Sequence, residues 1–338
     1  MELMGYHLDI EGVLEEVKGK GYRLIGLQFP DGLRDFYAPV SEAVENATGA
    51  ATVISADPSY GACDLVDDEM EKVKVDALMH FGHSRMPHMA RFERIPLYFV
   101  KAESNHDIRP VVQAALAKLP GKRIGVIATT QHLHKIDHAV DLLRRNGFDP
   151  HVQGGDARIS GPGQVLGCNY SAADKDADAY LYIGSGNFHP LGLALNTEKP
   201  IICADPYNNE VRTMDVERNR FLKQRYGAVS AARDAQTFGV LASSKQGQLR
   251  WNMAKALKAR IEKKGRKAYL ILLRQFSPDY LVNFRHLDAF VSTACPRVAI
   301  DDYGRYPKPM LTPIELEMVL GDRPLDQYRL DEIHGTSI

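Results

Sequence analysis

Cysteine is scarce in this sequence: four residues in 338, too few and too scattered for a disulfide framework in a chain of this size. Reduced thiols, and with them a cytoplasmic location, are the expectation. No run of about 18 apolar residues occurs, so no membrane-spanning helix is expected. The opening MELMGYHLDIEG lacks a basic segment followed by an apolar one and does not read as a signal peptide. Charge of one sign is missing as well. A formal net charge of -1 removes the basic surface on which nonspecific nucleic-acid binding depends. No G-x-G-x-x-G follows a first strand, which speaks against a nicotinamide cofactor. What remains, 44% apolar and 25% charged residues, is the composition of a folded globular protein. The length suits two or three domains.

The chain does contain repetition. RLIGLQFPDGLRD from Arg23, RIGVIATTQHLHK from Arg123 and TFGVLASSKQGQL from Thr237 are apolar runs that end in small or polar residues and lead into helical patterns. Aligned on Ile25, Ile124 and Phe238, they stand 99 and 114 residues apart. DALMHFGHS, DAYLYIGSGNFHP and DAFVSTACPR begin at Asp76, Asp178 and Asp288, 102 and 110 residues apart. Two independent markers at nearly one interval define a repeat. Within it, ATVIS, PLYFV, PIICA and AYLILL read as buried parallel strands. LRDFYAPVSEAVENAT, QHLHKIDHAVDLLRRNG and GQLRWNMAKALKARIEKKG carry apolar residues at helical spacing, the last two closing at Gly147 and Gly265. Strands alternating with amphipathic helices imply βαβ units. The expected fold is α/β: three similar parallel-sheet βαβ domains around a pseudo-threefold axis, at residues 1–105, 106–210 and 211–338. The polar stretch after Leu320, GDRPLDQYRLDEIHGTSI, is expected to cross to a neighbouring domain or subunit.

Each unit supplies one loop cysteine. Cys63, in DPSYGACDLVDD, lies past the second strand of the first unit, and Cys168, in GPGQVLGCNYS, lies in a glycine-rich loop of the second. Cys295, in FVSTACPR, closes the third strand of the third. Cys203, in PIICADP, sits inside a strand and reads as a small buried hydrophobe. Ligands of open α/β sheets bind beyond the carboxyl ends of the strands. Three thiolates brought together there would make a soft-metal site. No C-x-x-C pair suggests structural zinc, whereas thiolates suit an iron–sulfur cluster. The residues alone leave open a three-cysteine metal site or three unconnected loop cysteines.

GLQFPDGL, DPSYGACD, HFGHS, GCNYS, IGSGNFHP and STACPR followed by AIDDY occur in this order. Through them nearly the whole chain resembles the archaeal-type diphthamide biosynthesis enzymes, the 2-(3-amino-3-carboxypropyl)histidine synthases. The resemblance implies that Cys63, Cys168 and Cys295 ligate a 4Fe-4S cluster with one iron open, and Cys203 matches no ligand position. It implies an unusual radical use of S-adenosylmethionine, without the C-x-x-x-C-x-x-C loop of ordinary radical enzymes, which this sequence also lacks. The bond from sulfur to the methionine γ-carbon would break, giving a 3-amino-3-carboxypropyl radical and methylthioadenosine. The radical would add to C2 of a histidine imidazole on translation elongation factor 2, the first step of diphthamide formation. A homodimer and an electron donor for the cluster are implied too. The rivals are a quinolinate synthase-like 4Fe-4S dehydratase and a non-catalytic cluster-bearing supporting subunit. GACD and TACPR fit the diphthamide enzymes better, and three cysteines in one chain argue against a supporting role.

Candidates for holding S-adenosylmethionine are strand-end residues: Gly82, His83 and Ser84, then Gly184, Ser185, Gly186 and Asn187, then Arg274 and Gln275. Arg274 or Arg297 would clamp its carboxylate. Arg85, His189, Thr129, Thr130, Gln131, Ser243, Ser244 and Gln246 are further candidates, set against the simpler reading as caps and turns. His132, His134 and His138 read as a solvated helix face. FGHSRMPHMARFER is mildly basic and reads as a surface loop.

Overall fold

A computed structural model describes residues 1–335; residues 336–338, which close the polar stretch after Leu320, lie outside the described residues. Three sheets with parallel pairing follow one another along the chain. The first runs Ala51–Ile54, Leu24–Gln28, Ala77–Phe81, Leu97–Val100. The second runs Asp149–His151, Arg123–Ala128, Ala179–Ile183, Ile201–Asp205, Glu210–Thr213. The third runs Lys267–Leu273, Thr237–Ser243, Ala289–Ser292, Met310–Leu311. The order is the same each time. The first strand of the repeat lies between the second and the third, and the fourth follows the third. Every residue of Ala77–Phe81, Ala179–Ile183 and Ala289–Ser292 is buried, so these strands are covered on both faces rather than on alternate residues. A small antiparallel ribbon of Glu2–Leu3, Tyr6–Leu8 and Ala102–Ser104 is added to the first repeat.

The second repeat marker has a structural cause. The carboxylate of Asp76 accepts from the backbone N–H groups of Arg23 and Leu24, at 2.7 and 2.9 Å. Asp178 does the same for Lys122 and Arg123, and Asp288 for Gln236 and Thr237. An acidic residue before the third strand thus satisfies the exposed donors where the first strand begins, setting the register of the pair. These bonds hold the carboxyls of Asp76 and Asp288 below the usual carboxylate range, in Asp288 against its partial burial. Each first strand leads through a 3₁₀ turn into an amphipathic helix: Tyr37–Thr48, Ile136–Arg145 and Trp251–Lys263. Left-handed Gly49, Gly147 and Gly265, with φ of 73°, 83° and 76°, follow their ends.

By packing, the chain divides into two compact units. Among the described residues, 1–165, 171–185 and 204–211 form one; 166–170, 186–203 and 212–335 form the other. In the first, Ile25, Leu27, Met79 and Phe81 pack on Val40 and Val44 of the first amphipathic helix. In the second, Val240, Ala242 and Val291 pack on Leu257, Ile261 and Leu316. We propose three domains with borders near residues 105 and 210, supported by the threefold recurrence of sheet order. No helix among the described residues is long and apolar enough to cross a membrane.

Candidate metal centre

In the first unit the chain leaves the strand Ala51–Ile54 and turns tightly before the helix Asp67–Lys72. Asp64 N–H donates to Gly61 O at 2.9 Å, which places buried Cys63 inside the turn. A Cβ on Gly61 would stand 3.4 Å from Cys63 Sγ, so glycine keeps that side of the sulfur clear. The turn is tied to the sheet through buried Gln28, whose Nε2 donates to Asp64 O at 2.7 Å. That bond fixes the amide, because a carbonyl can only accept. Gln28 Oε1 therefore accepts from His80 Nδ1 at 2.9 Å, and His80 carries its proton there. His80 Nε2 then accepts from His83 Nδ1 at 2.9 Å, which leaves His83 Nε2 with a lone pair. Both rings are neutral near pH 7. Burial holds His80 well below its usual value and lowers His83 to about 4.

In the second unit Cys168 is buried within residues 166–170, where Leu166 and Asn169 pair across a tight turn. Gly167 admits no other residue, since a Cβ would lie 1.5 Å from the Phe188 ring. Cys295 is half-buried three residues beyond Ala289–Ser292 and precedes Pro296 and the short helix Arg297–Ile300. Cys203 is fully buried in the strand Ile201–Asp205, as its apolar context predicts. None of the four forms a disulfide. Among the described residues no group of three or more His, Cys, Asp or Glu side chains is gathered to hold one metal ion.

The candidates for the cosubstrate separate by engagement. Gly82 follows the third strand of the first sheet with φ of +75°, and a Cβ there would come 2.7 Å from Leu33 Cδ1. His83 and Ser84 follow it, half-buried. Ser185 O accepts from the Tyr182 hydroxyl at 3.3 Å in the first unit. In the second unit Arg212 donates to Gly186 O at 2.8 Å and to Asn187 Oδ1 at 3.1 Å, holding that loop. Gln275 Oε1 accepts from Lys245 Nζ at 3.1 Å, and Arg274 is half-buried beside it. Arg297 pairs with Asp301 at 2.5 Å and stacks on Phe188, while Arg85 pairs with Glu93 and donates to Leu97 O. Local partners thus claim Arg297 and Arg85. Thr130 Oγ1 accepts from Gln164 and Ser243 Oγ from Lys245 N–H, as turn and cap residues do. The three histidines do not share one solvated face. His134 and His138 are exposed, but His132 is fully buried among Tyr207, His106 and Lys135, and burial lowers it to about 3.

Sequence reasoning passed over Gln28, His80, Arg212 and Arg250. Two of them carried a signal: Gln28 and His80 are polar residues inside apolar strands, which fold only when their hydrogen bonds are met.

Residues 29–329 match the family described as "Putative diphthamide synthesis protein". The chain belongs to the diphthamide synthesis family. It is 39% identical over 325 residues to a Pyrococcus horikoshii protein named 2-(3-amino-3-carboxypropyl)histidine synthase, covering 96% of this chain and 92% of that one. The Caenorhabditis elegans protein named subunit 1 of that synthase is 28% identical, over 98% of this chain and 85% of its own. Two crystal structures of Pyrococcus horikoshii Dph2, one with a 4Fe-4S cluster, superpose with TM-scores of 0.90. They are 38% and 37% identical and cover 98% of this chain and 95% of theirs. Thiols are the donor type that suits the group named for that relative. Cys63, Cys168 and Cys295 lie on loops past strand ends, with small neighbours at Gly61, Ala62, Gly167 and Ala294. Thiolates favour iron–sulfur over hard cations.

Proposed function

We propose that this diphthamide synthesis protein transfers the 3-amino-3-carboxypropyl group of S-adenosylmethionine to C2 of a histidine imidazole on translation elongation factor 2. The observation that carries the reading is the 39% identity, across 96% of the chain, to a protein named for forming that modified histidine. Cys63, Cys168 and Cys295 are the proposed ligands of a 4Fe-4S cluster, and a relative at TM-score 0.90 contains one. When bound and reduced, the cluster supplies the electron that breaks the sulfur–γ-carbon bond, releasing methylthioadenosine. The protein's share is orientation, since S-adenosylmethionine has three C–S bonds and only one is to break.

The residues proposed for that task are Gly82, His83, Ser84, Gly184, Ser185, Gly186, Asn187, Arg274 and Gln275. Neutral His83 presents a lone pair suited to an α-ammonium donor, and Arg274 presents a guanidinium suited to the carboxylate. Gly82 and Gly184 let the backbone approach closely, and a Cβ on Gly184 would meet the Tyr182 hydroxyl at 2.7 Å. A homodimer belongs to the same proposal. Lys267–Leu273 is an edge strand that leaves Tyr269 and Leu272 exposed, and Tyr280, Val282 and Phe284 after it are exposed as well. Such an edge calls for cover.

The test is anaerobic reconstitution, reduction with dithionite and incubation with S-adenosylmethionine alone, followed by chromatography. Methylthioadenosine with a 2-aminobutyrate-type fragment is the expected result, and addition of elongation factor 2 should move the fragment onto that protein. Release of 5′-deoxyadenosine would refute the orientation. A cluster without either product would move the chain to the dehydratase or supporting-subunit reading.

A further inference from the structure

Residues 330–333 lie in the polar stretch after Leu320, yet Leu330 and Ile333 are 2% and 1% exposed and Asp331 is buried between them. Four consecutive residues fasten to two different loops of the second unit. Asp331 forms a two-pronged ion pair with buried Arg250, at 3.1 and 2.5 Å. The same guanidinium donates from Nε to Thr293 O at 2.6 Å and from its terminal nitrogen to Ala294 O at 3.2 Å. Those carbonyls immediately precede Cys295. On the other side Ile333 N–H donates to Cys168 O at 2.8 Å, and Asn169 Nδ2 donates back to Ile333 O at 3.0 Å. Glu332 accepts from Tyr170 N–H and from Asn196 Nδ2, while Leu330 N–H donates to Asn196 Oδ1.

A planar guanidinium holds its acceptors at fixed angles, so it sets two successive carbonyls of one loop at once. A reciprocal backbone and amide pairing does the same for the other loop. We propose that residues 330–333 are a clamp that fixes the Cys168 and Cys295 loops in register with each other, with Arg250, Asp331 and Ile333 as positioning residues. The inference rests on reading both cysteines as cluster ligands, although the clamp itself is a property of the metal-free chain. Its role is to hold two sulfurs preset, so that cluster binding need not order them. The charged pair suits that role because it is buried and cannot be loosened at low cost.

The test uses reduced, metal-free protein, iodoacetamide and mass spectrometry of all four cysteines. In Asp331→Ala the alkylation of Cys168 and Cys295 should rise together by on the order of tenfold, with Cys63 and Cys203 unchanged, as local opening predicts. No rise, or a rise at Cys295 alone, overturns the clamp. Should Asp331→Ala also expose Cys203, its sheet is lost and Asn196→Ala decides, since it unfastens Leu330 and Glu332 without stranding a buried charge. It should raise both rates, and unchanged rates overturn the proposal. After reconstitution, a variant holding wild-type iron should show an altered electron paramagnetic resonance line shape of the reduced cluster, which a merely structural role would leave alone. Wild-type protein that binds no cluster would instead sink the functional reading and leave the alkylation result standing.

Discussion

The loop bearing Cys63 and the loops bearing Cys168 and Cys295 are held by different chemistry. In the first unit the fastening is uncharged and local: Asp64 O, Gln28, His80 and His83 lie within one repeat and pass a single hydrogen-bond direction along the chain. In the second unit it is charged and distant, because Arg250 and Asp331 are 81 residues apart and Asn169 and Ile333 are 164 apart. An uncharged relay loses one bond at a time. A buried ion pair that loses one partner strands the other in a medium that solvates it poorly. The two regions should therefore differ in how steeply they fail.

The sharpest break is at the sulfurs. Alanine at Cys63, Cys168 or Cys295 should abolish stable cluster incorporation after anaerobic reconstitution, whereas Cys203→Ala should keep wild-type iron and sulfide. An intact cluster in any of the first three would remove that residue from the ligand set. Next in size is Asp331→Ala, which leaves the Arg250 guanidinium buried without its carboxylate and should cost roughly 3–5 kcal/mol in urea unfolding of the metal-free protein. Pairing it with Arg250→Met should recover much of that loss, and failure to recover would mean the contacts to Thr293 O and Ala294 O matter more than the charge. Gln28→Ala in the other unit should cost less, roughly 1–3 kcal/mol, for a carbonyl and an imidazole N–H left without partners. If it cost as much as Asp331→Ala, the contrast between the two fastenings would collapse.

Legibility follows the same divide. The strands, helices and repeat could be read because apolar runs, helical spacing and left-handed glycines are local signals, and Asp76, Asp178 and Asp288 recur since each closes a contact inside its own repeat. The loop cysteines could be located because strand ends are where such sheets bind ligands. The clamp was not readable. Nothing near Asp331 announces a partner at Arg250, and GDRPLDQYRLDEIH has the polarity of a surface segment although its Leu330 and Ile333 are buried. His132 misled for a related reason: its neighbours His134 and His138 do face solvent, but a 3₁₀ turn at Thr130–Lys135 breaks the helical spacing and turns it inward.

The smallest expected effect separates the relay from the repeat's carboxylate staples by pH. His83 titrates near 4 in the folded chain and near its ordinary 6.5 in the unfolded one, and burial likewise holds folded His80 well below 6.5. Between pH 6.5 and 4 the unfolded chain therefore binds more protons, so stability falls as the pH falls through that window. Asp76 works in a lower one: its folded carboxyl titrates below 3.8, so its contribution is complete above 3.8 and is lost only as the pH drops past the folded value. Urea midpoints of metal-free protein at pH 7, 5 and 4 should fall stepwise, and His83→Gln should flatten the change between 7 and 5. Asp76→Asn should lower all the midpoints alike and leave that slope in place. A slope unchanged in His83→Gln would mean that its ring titrates alike in the folded and unfolded chains, and the pH dependence would then have to come from groups other than His83.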